Sequence, residues 1–236
     1  MFPLHDDNPT VRRPWVTYGL VAACLVVWIG VQGAGLDVER MTSSVCSLGA
    51  IPLEVLGQPG VEAGPCMPGG WAGGALVTSM FLHGGWFHLI GNLWFLWIFG
   101  NNVEDSMGRI RFVAFYLIVG VVAALTHVAA EPDSALPMVG ASGAISGVMG
   151  AYLVLFPRAR VKTLLVLIVF FTVVELPAFV YLLYWLALQL FSSAGGAGSG
   201  VAFWAHIGGF VAGALLTPFF RRRRPPDRWV RVDAGV

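Results

Sequence analysis

Stretches without Asp, Glu, Lys or Arg cover 14–36, 63–103, 112–130, 134–157, 163–174 and 176–220. A bilayer-crossing helix needs about 20 mostly apolar residues, so this pattern constrains the fold more than any other feature. Only 11% of the 236 residues are charged and 57% are hydrophobic, whereas charge makes up roughly 25% of an average soluble domain. Mean hydropathy is +0.75. A soluble exterior needs charge, so the composition excludes an ordinary cytosolic enzyme, a disordered chain and a nucleic-acid binder. A net charge of +1 gives no polyanion signal.

The stretches predict an all-α polytopic membrane protein with six transmembrane helices in a compact bundle. Stretch 14–36 holds one span. Stretch 63–103 opens with Gly- and Pro-rich sequence, so its helix is expected over 86–103. Stretches 112–130 and 134–157 hold one span each. Stretch 176–220 is too long for one helix and is broken by Ser192, Ser193 and the Gly-rich run to Gly200, so it holds two. Stretch 163–174 is too short to span and is rich in Val, Ile, Phe and Thr. With Glu175-Leu176-Pro177 behind it, and Pro suited to a first helical turn, it reads as an interfacial or packed segment leading into span five. The rival reading is one tilted helix over 163–191 with Glu175 inside it. An intramembrane carboxylate is costly, so a buried Glu175 would be a functional candidate, and an interfacial one an ordinary end residue.

Lys and Arg set the orientation. Arg12, Arg13, Arg109, Arg111, Arg158, Arg160, Lys162 and the tail arginines Arg221 to Arg224, Arg228 and Arg231 all fall on one side, and only Arg40 falls on the other. The positive-inside rule puts both termini in the cytoplasm. The expected organisation is a cytoplasmic segment 1–13, a membrane domain 14–220 with an external loop over about 36–82, and a basic cytoplasmic tail 221–236. The first span is longer than a signal-peptide core, so it is expected to be retained. The arginine run directly after a span reads as an anchor to lipid headgroups, not a nucleic-acid patch.

Cys24 lies within span one and reads as apolar filler. Cys46 and Cys66 both lie in the external loop, where an oxidising environment makes a disulfide between them an expectation. Their spacing does not suggest a zinc site.

Polar groups inside spans are expensive, and here they gather in three places. Span two opens on His83, His88 and Asn92, with His88 and Asn92 on one helix face. Span four opens on Gly140-Ala141-Ser142-Gly143. Span six contains His206, Gly209 and Gly213. Spans two, four and six run in the same direction, so all three sets fall at a similar depth near the outer face. Gly143 with Gly147 and Gly209 with Gly213 are small-xxx-small pairs that let helices approach closely. If spans four and six pack there, Ser142 and His206 come within hydrogen-bonding reach. A serine next to a histidine is an activated nucleophile, and His88, Asn92 and the Ser142 N–H are candidate oxyanion donors. Taken singly, a serine, a glycine pair or a histidine such as His127 reads as structural. A transporter lined by the same groups is a further reading, but no acidic residue accompanies them.

These residues resemble the rhomboid family of intramembrane serine proteases. The resemblance rests on His-x4-His-x3-Asn at His83, His88 and Asn92, Gly-x-Ser-Gly at Gly140 to Gly143, and Ala-His-x-x-Gly-x-x-x-Gly at Ala205 to Gly213. Pro3-Leu4 through Asp7-Asn8-Pro9-Thr10 is similar to the start of bacterial six-span members, and Glu104 with Gly108 also resembles the family. The resemblance implies an endopeptidase that cuts single-span membrane proteins in or near their helices. Ser142 would be the nucleophile and His206 the base, with His88, Asn92 and Ser142 in the oxyanion hole. His83 would support the site near a water-accessible cavity, and Gly140, Gly143, Gly209 and Gly213 would support its packing. No metal or cofactor is implied. The expected setting is the plasma (inner) membrane, with the site opening on the extracytoplasmic side. Two positions depart from the family pattern. Gly74 and Ala75 stand where many members carry Trp-Arg, and Ser146 stands where many carry an aromatic residue that stacks on the histidine. A non-catalytic rhomboid-like scaffold that binds membrane helices is the alternative.

Overall fold

Nine helices and three strands are present among the described residues of the computed structural model, which are 1–58, 66, 72–167, 170–194 and 201–222. Helices fall on the predicted spans: α1 (Trp15–Gly30), α5 (Trp86–Met107), α6 (Arg109–Ala130), α7 (Ser142–Leu155), α8 (Ala178–Ala194) and α9 (Phe203–Phe220). Of these, α6 and α9 are both long and apolar enough to cross a membrane, while α1, α7 and α8 are apolar but shorter. The segment read as an external loop also forms helices: α2 (Val38–Leu48), α3 (Pro52–Val55) and α4 (Ala72–Thr78), which a short 3-10 turn at Ser79–Phe81 extends. The Gly-rich residues 195–200 and the tail beyond Arg222 lie outside the described residues.

The all-α expectation is corrected by a three-stranded antiparallel sheet, β1 (Phe2–Asp6), β2 (Arg160–Leu167) and β3 (Phe170–Pro177), in the order β1-β2-β3. Stretch 163–174 lies mostly in a strand pair that leads into α8, rather than in one helix. Its β-branched and aromatic residues favour the extended chain, and pairing satisfies backbone groups that an unpaired segment would leave open. Val161, Thr163 and Leu165 pair with Leu176, Val174 and Thr172. The 163–191 helix is likewise overturned. Helix α8 starts at Ala178, and Glu175 is exposed, 3.1 Å from Arg160 Nη1 and 4.0 Å from Lys162 Nζ. It is the ordinary end residue of the two options.

The N-terminal segment is tied along α5. Glu104, nearly fully buried, accepts from the backbone N–H of Val16 (3.0 Å) and Thr17 (2.8 Å) and from the Thr17 hydroxyl (2.8 Å). The first N–H groups of a helix have no partner within it, so this carboxylate caps α1 from a neighbouring helix and favours its positive end. Asn102 Nδ2 donates to Asn8 O and Trp94 Nε1 to Pro3 O. Between α5 and α6 a single residue, Gly108 at φ 80°, makes the joint. The Arg222 guanidinium lies against it where a Cβ would sit.

Helix packing follows the small residues. A Cβ on Gly209 would strike the Gly143 carbonyl, one on Gly213 the Gly147 carbonyl, and one on Gly150 the Phe210 carbonyl. Backbones in lipid approach this closely only where side chains are absent. Around this seam, Phe99 of α5 packs edge-on to Tyr152 of α7 (5.1 Å) and stacks near Tyr181 of α8 (6.2 Å). Cys24 is buried in the same core.

Candidate active site

Ser142 is the first residue of α7. The chain enters it through Gly140, whose φ of 124° is a region that side-chain-bearing residues rarely adopt. Gly140 N–H donates to Ser79 O (2.9 Å), which pins this entry to the turn before α5. The Ser142 N–H therefore stands at a helix N-terminus, where backbone donors and the helix dipole favour negative charge.

From α9, His206 reaches Ser142, with Nε2 2.7 Å from Oγ. The Gly143–Gly209 and Gly147–Gly213 approaches described above set α7 and α9 close enough for this bond. The sequence spacing pointed to this meeting, and the geometry brings the two residues together.

His88 and Asn92 project from the first turns of α5 toward Gly140. A Cβ built on Gly140 would fall 2.7 Å from His88 Nε2 and 3.6 Å from Asn92 Nδ2. The Gly84 N–H donates to His88 Nδ1 (3.2 Å), so the proton of neutral His88 resides on Nε2, the nitrogen facing Gly140. Asn92 Nδ2 is buried with no hydrogen-bond partner. Two donors thus converge beside the entrance to Ser142.

His83 is fully buried, with its ring edge-on to His88 at 5.3 Å between centroids. It does not itself line the cavity; it packs behind His88, which does. Gln32 holds it there, accepting from His83 N–H and donating to His83 O, each at 2.8 Å. His127, read as structural, is buried in α6.

A cavity of about 600 Å³ opens on the pair, lined by Met80, His88, Gly120, Ser142 and His206 among others. That volume suits a short extended peptide segment rather than a whole helix. Its rim is stitched across the chain. Ala50 and Met138 exchange backbone hydrogen bonds of 3.0 and 2.8 Å, and Leu53 N–H donates to Ser134 O. Cys46 of α2 forms a disulfide with Cys66. No cluster of potential metal ligands occurs among the described residues.

Two residues at the pair were not singled out from the sequence. Gln189 Oε1 lies 2.8 Å from His206 Nδ1, and the Trp185 ring lies 5.9 Å from the imidazole at 40°. The available signal was an amide in the otherwise apolar first four turns of α8, one turn from a tryptophan. At Ser146, where an aromatic residue is common in the family, the hydroxyl donates to Ser142 O (2.6 Å) and leaves the imidazole to other partners.

The chain is similar in sequence to several rhomboid-like proteins. RHOMBOID-like protein 6, mitochondrial, of Arabidopsis thaliana is 32% identical over 157 residues, 65% of this chain and 45% of that protein. Rhomboid protein 1, mitochondrial, of Saccharomyces cerevisiae is 29% identical over 168 residues, 68% of this chain and 46% of that protein. The chloroplastic Rhomboid-like protein 11 of Arabidopsis thaliana is 45% identical over 71 residues, 30% of this chain and 25% of that protein. The chain thus spans less than half the length of each, and the bacterial subtype suggested by its N-terminal residues has no counterpart among these three. A model of the Rhomboid domain matches residues 71–223, more than half of the sequence, and the chain belongs to the rhomboid family.

Proposed function

We propose that this chain is an intramembrane serine endopeptidase that hydrolyses peptide bonds in or near the transmembrane helices of single-span proteins. The observation that carries the reading is the 2.7 Å approach of His206 Nε2 to Ser142 Oγ at the mouth of a cavity with two convergent donors. In the proposed reaction, Ser142 Oγ attacks the scissile carbonyl carbon as His206 Nε2 takes its proton. The oxyanion forms against the Ser142 N–H, His88 Nε2–H and Asn92 Nδ2. The C–N bond then breaks, and His206 returns the proton to the leaving amine. Water, deprotonated by His206, cleaves the acyl-enzyme and restores Ser142. A substrate helix must unwind to expose its carbonyls, which directs cleavage to helix ends and to small, flexible residues.

The same proposal holds that six helices span the membrane, both termini are cytoplasmic, and the cavity opens on the other side. The lopsided distribution of basic residues supports this orientation. We place the protein in the plasma (inner) membrane on the likeness of its N-terminus to bacterial members.

Ser142→Ala and His206→Ala should each abolish cleavage of a model single-span substrate in liposomes. Full activity in either variant would sink the mechanism. Fluorophosphonate labelling of Ser142 that disappears in His206→Ala separates the enzyme from a scaffold that only binds helices.

A further inference from the structure

A histidine can serve as a base toward Ser142 only in one tautomer. Nε2 must be bare, so the single proton of the neutral ring must reside on Nδ1. A partner at Nδ1 decides this, and here that partner comes from α8. Gln189 Oε1 is 2.8 Å from His206 Nδ1. The amide turns its oxygen to the ring and its Nε2 to the Trp185 carbonyl one turn back, at 3.5 Å. An acceptor oxygen opposite a bare Nδ1 would set two lone pairs against each other at hydrogen-bond distance. The proton is therefore held on Nδ1, and the Nε2 lone pair is left facing the Ser142 hydroxyl.

The same helix positions the ring itself. Trp185 and Gln189 lie one turn apart on one face of α8, so the indole flanks His206 while the amide holds its far nitrogen. Phe203 meets the imidazole edge-on at 6.4 Å, from α9 itself. Ser146 of α7 supplies neither a ring nor a hydrogen bond to it.

We propose that Gln189 is a positioning residue that fixes the tautomer and orientation of His206, so that the Ser142–His206 dyad works with its imidazole held from behind by Gln189. This rests on the reading of Ser142 and His206 as the hydrolytic pair. Gln189 touches no substrate and exchanges no proton. It acts like the outer partner of a metal-bound histidine, whose loss costs about 10- to 100-fold in activity.

The test uses the full chain in liposomes with a single-span substrate. Gln189→Leu keeps the bulk and removes the acceptor, and kcat should fall by about 10- to 100-fold with KM little changed. Gln189→Glu restores an acceptor at the same reach and should recover most of kcat. Nitrogen-15 NMR of histidine-labelled protein in micelles reads the tautomer directly: the His206 Nδ1 signal should be that of a protonated nitrogen in the wild type and should shift toward a tautomer mixture in Gln189→Leu. An unchanged kcat together with an unchanged His206 signal in Gln189→Leu overturns the proposal. So does a loss that Gln189→Glu fails to recover while the protein remains folded. Full activity in Ser142→Ala would instead remove the hydrolytic reading, with the NMR result still deciding whether Gln189 holds the ring.

Discussion

At the scale of single residues, the site depends on one backbone position. Gly140 combines a φ of 124° with an open side facing His88 Nε2 and Asn92 Nδ2. A methyl group there has two consequences. It strains a conformation that costs side-chain-bearing residues about 1–3 kcal/mol, and it intrudes on the space where the two donors converge. Gly140→Ala should therefore lower kcat by about 100-fold or more, the effect of losing one oxyanion donor. The Ser142–His206 hydrogen bond should survive, because α7 and α9 hold it from the other side. Cleavage in liposomes measured beside thermal unfolding in micelles checks this. Normal kcat in Gly140→Ala would show that the donors are not aimed at that space. Ser142, His206, His88 and Asn92 were legible in the sequence because polar groups inside apolar stretches carry a cost that needs a reason. Gln189 carries the same cost, but it lies just before the Ser- and Gly-rich break in stretch 176–220. Read one-dimensionally, it belongs to the polar end of a helix, and only the packing of α8 on α9 brings its oxygen to the His206 ring.

At the scale of elements, the strand pair marks the boundary of what sequence reading recovered. The six helices were legible because charge-free length is a local property. The joining of β1 to β2 was not, because these strands are separated by most of the chain and β1 is only five residues long and contains Pro3. One buried contact anchors that pairing to the bundle: Tyr152 of α7 donates its hydroxyl to Asp6 Oδ2 at 2.6 Å. Burial raises the Asp6 carboxyl above its ordinary 3.8, while the Tyr152 hydrogen bond and nearby His5 oppose the rise. A carboxyl with a raised folded-state value binds its proton more tightly when folded. Its contribution to stability is then full below the unfolded value and is lost as pH rises through the folded one. Asp6→Asn keeps an oxygen for Tyr152 and removes the charge. The variant should be at least as stable as the wild type at neutral pH, with the difference closing as pH falls toward about 4. Unfolding in micelles across that range measures it. A variant that is less stable at neutral pH would mean that the ionised carboxylate is favoured in place.

At the scale of the whole molecule, the cleft beside Ser142 and His206 is closed on one side by a segment that was expected to be a loop. Residues 38–58 and 72–81 are largely helical, and they are joined to the chain just before α7 through the Ala50–Met138 and Leu53–Ser134 hydrogen bonds. Gly49 allows this approach, since a Cβ there would crowd the Val45 carbonyl and press on Pro137 and Val139. The Cys46–Cys66 disulfide, with a sequence separation of 20, restrains the same segment. Closing a loop of that size stabilises a fold by about 3 kcal/mol, mainly by restricting the unfolded chain. The Ser142–His206 pair depends on a different seam, the glycine contacts between α7 and α9. Stability and chemistry should therefore separate. Replacing both cysteines by serine should lower the unfolding temperature in micelles and leave kcat at 25 °C close to that of the wild type, with activity lost earlier on heating. Reductant should move the wild type toward the variant and leave the variant unchanged. Equal unfolding temperatures with and without the bridge would show that the backbone hydrogen bonds alone hold the rim. A fall in kcat at 25 °C would show instead that the rim helps to set the position of Ser142.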